Sequence, residues 1–202
     1  MEAKKSFDLK AAVLGRITRL RYVVRFSICP RTHDESVAEH SFFTAYIGTM
    51  IAWDLHESGV AVNPGIVAMR ALMHDIDEAH SGDFIRMFKH SSPSLKLAID
   101  NASAEFMKQC AKETGSMAEY RLWEEAKDLT TEGLVVSFAD FLSVVSYVVQ
   151  EINAGNHSMF EHLDELKKFF SSFQAEKYTV LGKYLAPCQE ILDTVEDRRT
   201  KI

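Results

Sequence analysis

Gly133-Leu-Val-Val-Ser-Phe-Ala-Asp140-Phe-Leu-Ser-Val-Val-Ser-Tyr-Val-Val-Gln150 is the stretch whose reading decides the fold. Apolar side chains fall on nearly every face of a 3.6-residue period, so the segment reads as a helix, about Thr131 to Glu151, buried on all sides at the centre of a bundle. Asp140 and several serines interrupt it, which makes it a poor membrane span of about 20 apolar residues. Asp140 is the only charged side chain in the stretch. An ionised carboxylate in that setting costs several kcal/mol unless something positive meets it, and no Lys or Arg lies within four residues on the same helix. Asp140 therefore either faces a cleft and meets a neighbouring helix end or a distant Arg, or belongs to a functional centre.

The rest of the chain fits around such a helix. Its 202 residues suffice for one domain, 1–202, with a full apolar core, and 47% hydrophobic with 26% charged residues excludes disorder and fibrous architecture. Only 9 Gly and 4 Pro interrupt it, with no repeat and no linker. Asp8 is placed to cap a first helix through Leu20, and Tyr22 to Ile28 reads as extended. Ser36-Val-Ala-Glu39 is a capping box opening a helix to about His56. Asn63-Pro64 opens a third, ending near His74-Asp75. A short helix toward Lys89 follows the break at Ser81-Gly82-Asp83. Ser94 is read as the cap of a helix to about Lys112, and a short helix spans Met117 to Ala126. Two amphipathic helices, Ser158–Phe173 and Lys177–Asp197, close the chain. Nothing reads as a sheet: the expected fold is an all-α bundle around a buried central helix. The net charge of −6 and pI near 5.8 argue against nucleic acid as a partner. Cys29, Cys110 and Cys188 form no metal knuckle or disulfide framework, which suggests a reducing, cytoplasmic compartment, and the N-terminus has no apolar signal region.

His40 one turn inside a capped helix, His74-Asp75 ending the next, and Asp140 in the most buried helix offer two imidazoles and two carboxylates. That set suits a borderline or hard divalent ion with open positions left over. Taken singly, each His is more often a satisfied core or surface residue than a ligand. Together they follow the ligand order of the His-Asp (HD) phosphohydrolase superfamily. The chain resembles its compact YfbR-like 5′-deoxynucleotidase branch in Ser36-Val-Ala-Glu-His40-Ser, His74-Asp75-Ile-Asp-Glu78-Ala-His-Ser-Gly82-Asp83, Phe138-Ala-Asp140-Phe and Arg25, over roughly its whole length.

The resemblance implies that His40, His74, Asp75 and Asp140 bind one divalent ion (cobalt, manganese or zinc). It also implies that Glu78 stands beside the attacking water, that Asp83 is a second acid near the scissile bond or sugar, and that Arg25 grips phosphate. It implies a homo-oligomer, at least a dimer. Phe26 stands where the branch has a Trp that crowds the sugar, so selection for 2′-deoxyribose is expected to be softer. Arg86, Lys89 and His90 add cations where a phosphate chain could extend, as in a related viral branch that removes triphosphate from deoxynucleoside triphosphates; a solvated face explains them equally. The expected activity is hydrolysis of the 5′-phosphoester of deoxynucleotides. The alternatives are the triphosphohydrolase reaction, cleavage of cyclic or alarmone nucleotides, and a non-catalytic scaffold. No membrane and no nucleic acid are expected as partners.

Overall fold

The structure, a computed structural model, describes residues 7–89 and 91–199. Among these residues there is no strand, and the fold is all-α, as the sequence predicts. Its helices are α1 (Leu9–Leu14), α2 (Val37–Glu57), α3 (Pro64–Met73), α4 (Glu78–Ser81), α5 (Arg86–Lys89), α6 (Pro93–Thr114), α7 (Ala118–Glu124), α8 (Thr131–Asn153), α9 (Phe160–Phe170) and α10 (Gly182–Arg199), with 3-10 turns between several of them.

Helix α8 is the axis. Val135, Val136, Phe138, Ala139 and Val148 are completely buried, so the segment that passes a membrane test by length and hydropathy spends its apolar surface on the protein core. Helices α2 and α3 pack on α8 and on each other. Gly48 of α2 sits where they meet: a Cβ there would stand 3.1 Å from Val67 of α3 and 3.2 Å from Ala139 of α8. That close approach draws together the three helices that carry the His and Asp motifs. The main core joins these helices to α9 and α10. It takes in Phe160, Leu163, Phe170 and Phe173, an aromatic stripe that therefore faces inward. A second cluster (Leu20, Val37, Ile76, Ala79, Phe106, Met107, Tyr120) lies under α4 and α6. Along α2, His40 falls between Val37 of the second cluster and Ala45 of the first.

The local signals hold at most helix starts. Asp8 accepts from Lys10 N and Ala11 N, and Ser36 and Glu39 complete both halves of the capping box. Asn63 caps α3 with Pro64 in its first turn. Four expectations need correction. The first helix stops at Leu14, because Gly15 is extended (ψ 175°) and restarts the chain as a 3-10 turn, Arg16–Tyr22. The expected extended stretch from Tyr22 shrinks to a single bridge, Val24 with Ser36, before the backbone turns at Phe26. Helix α6 begins at Pro93 with Ser92 as cap, since the Ser92 hydroxyl is the one that accepts from Leu95 N. The two closing helices are shorter than expected, and each is flanked by 3-10 turns that bring Phe173, Tyr178 and Leu181 onto the core.

Candidate active site

His40, His74, Asp75 and Asp140 converge: one nitrogen or oxygen from each lies within 4.8 Å of every other. His40 Nε2 is 3.0 Å from Asp140 Oδ1, and His74 Nε2 is 3.0 Å from Asp75 Oδ2. The two Nε2 atoms stand 3.3 Å apart. The far side of each ring is held. His74 Nδ1 donates to the Ala71 carbonyl at 2.6 Å, and His40 Nδ1 shares a 3.1 Å bond with the Ser143 hydroxyl one turn beyond Asp140. With Nδ1 of His74 carrying the proton, its Nε2 lone pair points into the cluster. With His74 neutral, the two Nε2 lone pairs and two carboxylates would face one point, a donor set that fits a divalent cation with its outer hydrogen bonds in place; without a cation the His74 imidazole holds a proton there instead. Burial and the nearby Arg25 charge push His40 down to about 4, keeping it neutral. Burial also disfavours the His74 cation, but Asp75 overrides this and raises it to about 9.

Glu78 opens α4 one turn beyond His74. Burial and the charges of Asp75 and Asp83 push its carboxyl well above the usual range. Its Oε2 atom is buried without a hydrogen-bond partner among the described residues, so a polar ligand or water fits beside it. The chain then reverses at Gly82 (φ 74°), a left-handed conformation that glycine adopts without strain. Asp83 follows, raised by burial with Arg25 and the Phe26 backbone amide opposing.

Arg25 and Phe26, which act on Asp83, belong to the loop before α2. Arg25 N donates to Glu35 O and Val37 N to Val23 O, both at 2.9 Å, closing the loop at its base. The Arg25 side chain is almost fully buried and donates to Glu35 Oε2 at 2.8 Å, with Asp140, Asp75 and Asp83 close enough to act on its charge. Phe26, at φ 53°, lays its ring on Tyr147 of α8 (centroids 5.1 Å, 15° between planes). The tip of the loop is fastened by Glu151, which is fully buried at the end of α8 and accepts from Thr32 N, Thr32 Oγ1, His33 N and Asn156 Nδ2.

Lys89 is not among these groups; its ammonium lies 3.8 Å from Asp100 of α6. The side chain of Arg86, and His90, lie outside the described residues. Sequence reasoning missed three contributors. Lys127 donates to Asp140 Oδ2 at 2.7 Å and lies 3.9 Å from Asp75 Oδ1, so the cation that meets the buried carboxylate is a distant Lys and not an Arg. Glu35 pairs with Arg25, and Trp123 Nε1 donates to Asp77 at 2.9 Å, anchoring the turn between His74 and Glu78. None of the three stands at a spacing that marks it; only the unmatched charge of Asp140 hinted that a cation was owed.

The family model described as 5′-deoxynucleotidase YfbR-like matches residues 13–187. The chain belongs to the YfbR-like family. Among curated YfbR-like relatives, a 5′-deoxynucleotidase of Photorhabdus laumondii is 22% identical over 177 residues, covering 86% of this chain and 90% of its own length. Among solved structures, an HD-domain phosphohydrolase from Listeria innocua superposes with a TM-score of 0.72 at 19% identity, covering 93% of this chain and 98% of its own. A cyanophage S-2L HD phosphohydrolase, solved with dA and one catalytic Zn2+ ion, superposes with a TM-score of 0.56 at 16% identity, covering 93% of this chain and 96% of its own. The YfbR-like chain described here therefore has the HD-domain fold and is a hydrolase of that family.

Proposed function

We propose that residues 1–202 act as one metal-dependent 5′-deoxynucleotidase unit that hydrolyses the 5′-phosphoester of a 2′-deoxynucleoside monophosphate to deoxynucleoside and inorganic phosphate. The observation that carries this reading is the convergence of His40, His74, Asp75 and Asp140 beside the unpartnered Glu78 Oε2, in a chain of the YfbR-like family. The four side chains would hold one divalent ion; cobalt, manganese and zinc all suit two imidazoles and two carboxylates. When bound, the ion supplies Lewis-acid polarisation of the phosphoryl group and acidifies water at the site.

The protein's own groups do the rest. Glu78 accepts the proton of the attacking water at Oε2, and its raised pKa makes it a stronger base than an ordinary carboxylate. The water oxygen bonds to phosphorus as the bond to the 5′-oxygen breaks. Asp83, also raised, returns a proton to that leaving oxygen. Arg25 gives one donor to Glu35 and keeps others for the phosphate. Phe26, braced on Tyr147, forms the flat wall that screens the sugar. Lys89 is engaged with Asp100, which favours a monophosphate over a longer phosphate chain.

Product analysis of dAMP, dATP and AMP with cobalt or manganese tests the reading. Phosphate from dAMP and not from AMP is expected, with Glu78→Gln keeping metal and losing turnover. Triphosphate from dATP would move the chain to the triphosphohydrolase reaction, and no turnover with any ion would leave a scaffold.

The chain is assigned to the cytoplasm, where its three free cysteines stay reduced. The homo-oligomer is assigned to the outer face of α2 and α3. There Phe42, Phe43, Tyr46, Met50, Trp53, Met69 and Leu72 are each about half exposed, and residues 41–53 carry no charge. At about 100 Å² apiece, these side chains approach the roughly 800 Å² that each partner of a stable pair buries. A second copy of the chain is the occupant. Sedimentation should give a dimer that Tyr46→Asp with Trp53→Asp converts to an active monomer; a monomeric unaltered protein overturns the assignment.

A further inference from the structure

Lys127 stands in the loop between α7 and α8, outside every motif that marks the site. The chain on both sides of it is fastened to α3. Arg70, a buried residue of that helix, donates to Glu125 Oε2 at 2.7 Å, to Asp128 Oδ1 at 3.2 Å and to Thr130 Oγ1 at 2.9 Å. Ala126, the residue just before Lys127, is buried. The lysine is therefore presented from a fixed backbone, tied to the same helix that ends in His74. Its ammonium contacts Asp140 and Asp75, and its charge acts on Glu78 as well. With 39% of its side chain exposed, it borders both the cluster and solvent.

The charges around the cluster show what such a cation is for. Asp75 and Asp140 carry two negative charges, which a divalent ion cancels, and the neutral His40 adds none. A phosphate monoester then arrives with close to two more. Arg25 answers one of these, but Glu35 at 2.8 Å offsets its charge. Lys127 differs, because the carboxylates it now contacts are the ones a divalent ion would neutralise, leaving the ammonium's charge for the substrate. A flexible four-carbon stem lets that point charge move from a carboxylate oxygen to a phosphoryl oxygen beside it with the backbone still.

We propose that Lys127 is a phosphate-binding residue of this site, donating to a non-bridging oxygen of the substrate phosphoryl group. The proposal rests on the phosphohydrolase reading above and adds a substrate contact that the family motif does not mark in this sequence.

The test uses the full chain loaded with cobalt, and compares the unaltered protein with Lys127→Met, Lys127→Gln and Lys127→Arg. Calorimetric titrations measure cobalt, inorganic phosphate and deoxyadenosine binding, and initial rates measure dAMP hydrolysis. The Met and Gln variants should bind one cobalt ion at least as tightly as the unaltered protein. They should bind inorganic phosphate about 10- to 100-fold more weakly, the range of a charged hydrogen bond, and lose at least as much kcat/KM. Deoxyadenosine, which has no phosphate, should bind unchanged, and the Arg variant should recover most of the phosphate affinity. Phosphate binding within twofold of the unaltered protein, or an equal loss of deoxyadenosine and phosphate binding, would overturn the proposal and leave Lys127 a counter-ion of Asp140. If phosphate binding depends on Lys127 while the unaltered protein hydrolyses no deoxynucleotide, the lysine's role stands and the deoxynucleotidase reading falls.

Discussion

Replacing Arg70 by Ala removes the side chain that joins α3 to the loop before α8. Its side chain is 9% exposed, and the guanidinium holds Glu125, Asp128 and Thr130. The Glu125 carboxylate is 51% exposed, so that pair counts as a surface bridge worth at most about 1 kcal/mol. The Asp128 and Thr130 bonds lie deeper and contribute about 1–2 kcal/mol between them. Burial of the aliphatic stem adds about 2 kcal/mol, at roughly 0.8 kcal/mol per methylene. The expected loss is therefore about 4 kcal/mol, or roughly 10 °C in Tm for a domain of this size. Urea denaturation in a chelating buffer reads the loss without any contribution from metal affinity. Arg70→Lys should fall between the two proteins, since one ammonium cannot serve three partners. A loss below about 1 kcal/mol for Arg70→Ala would mean that the loop is held by something other than this fork, and would remove the reason for treating Lys127 as rigidly presented.

Other expectations are open to direct measurement. Asp140→Asn or His74→Ala should abolish cobalt binding and turnover together; calorimetry finding a bound ion in either variant counts against the ligand assignment. Phe26→Gly should relax the strained φ of 53° but lose the Tyr147 stack, so discrimination between dAMP and AMP should narrow severalfold; an unchanged ratio would remove the ring from sugar selection. In metal-free protein the two buried histidines contribute opposite pH dependences on either side of pH 6.5, while the raised carboxyls of Glu78, Asp83 and Glu35 favour lower pH. His40, lowered to about 4, contributes stability that is lost as pH falls from 6.5 through 4. His74, raised to about 9, contributes stability that is lost as pH rises from 6.5 through 9. Each arm is on the order of 3 kcal/mol, and a pH series of urea midpoints that stays flat from pH 6.5 through 9 contradicts the His74 arm.

The helix starts and the convergence of His40, His74, Asp75 and Asp140 were legible in the sequence because both are written locally. Asp8, Ser36 and Asn63 cap through their own side chains within three residues, and the His-Asp motif keeps a fixed order along three helices. The Ser92 cap was misread by two residues because Ser92, Ser94 and Pro93 offer competing starts, and only geometry selects the hydroxyl that reaches Leu95 N. The turn at Phe26 was read as extended because its β-branched neighbours favour a strand, while the Val23–Val37 base pairing and the Glu151 clasp impose a closed loop. Lys127 and Glu35 were illegible for a simpler reason. Their roles arise from loops that approach the cluster only once α3 and α8 have packed, and no periodicity records that.

The four donors also have a topological consequence. His40 and His74 are 34 positions apart, and His40 and Asp140 are 100 apart. An ion held by all of them closes two long circuits of chain, as a pair of disulfides would, and does so in a protein whose cysteines are all free. Circuits of that length restrict an unfolded chain by about 4–5 kcal/mol each, comparable with the whole stability of an ordinary domain. An ion there would add a cross-link to the packing that already joins α2, α3 and α8, so removing divalent metal is expected to shorten the life of the folded molecule as well as slow any turnover.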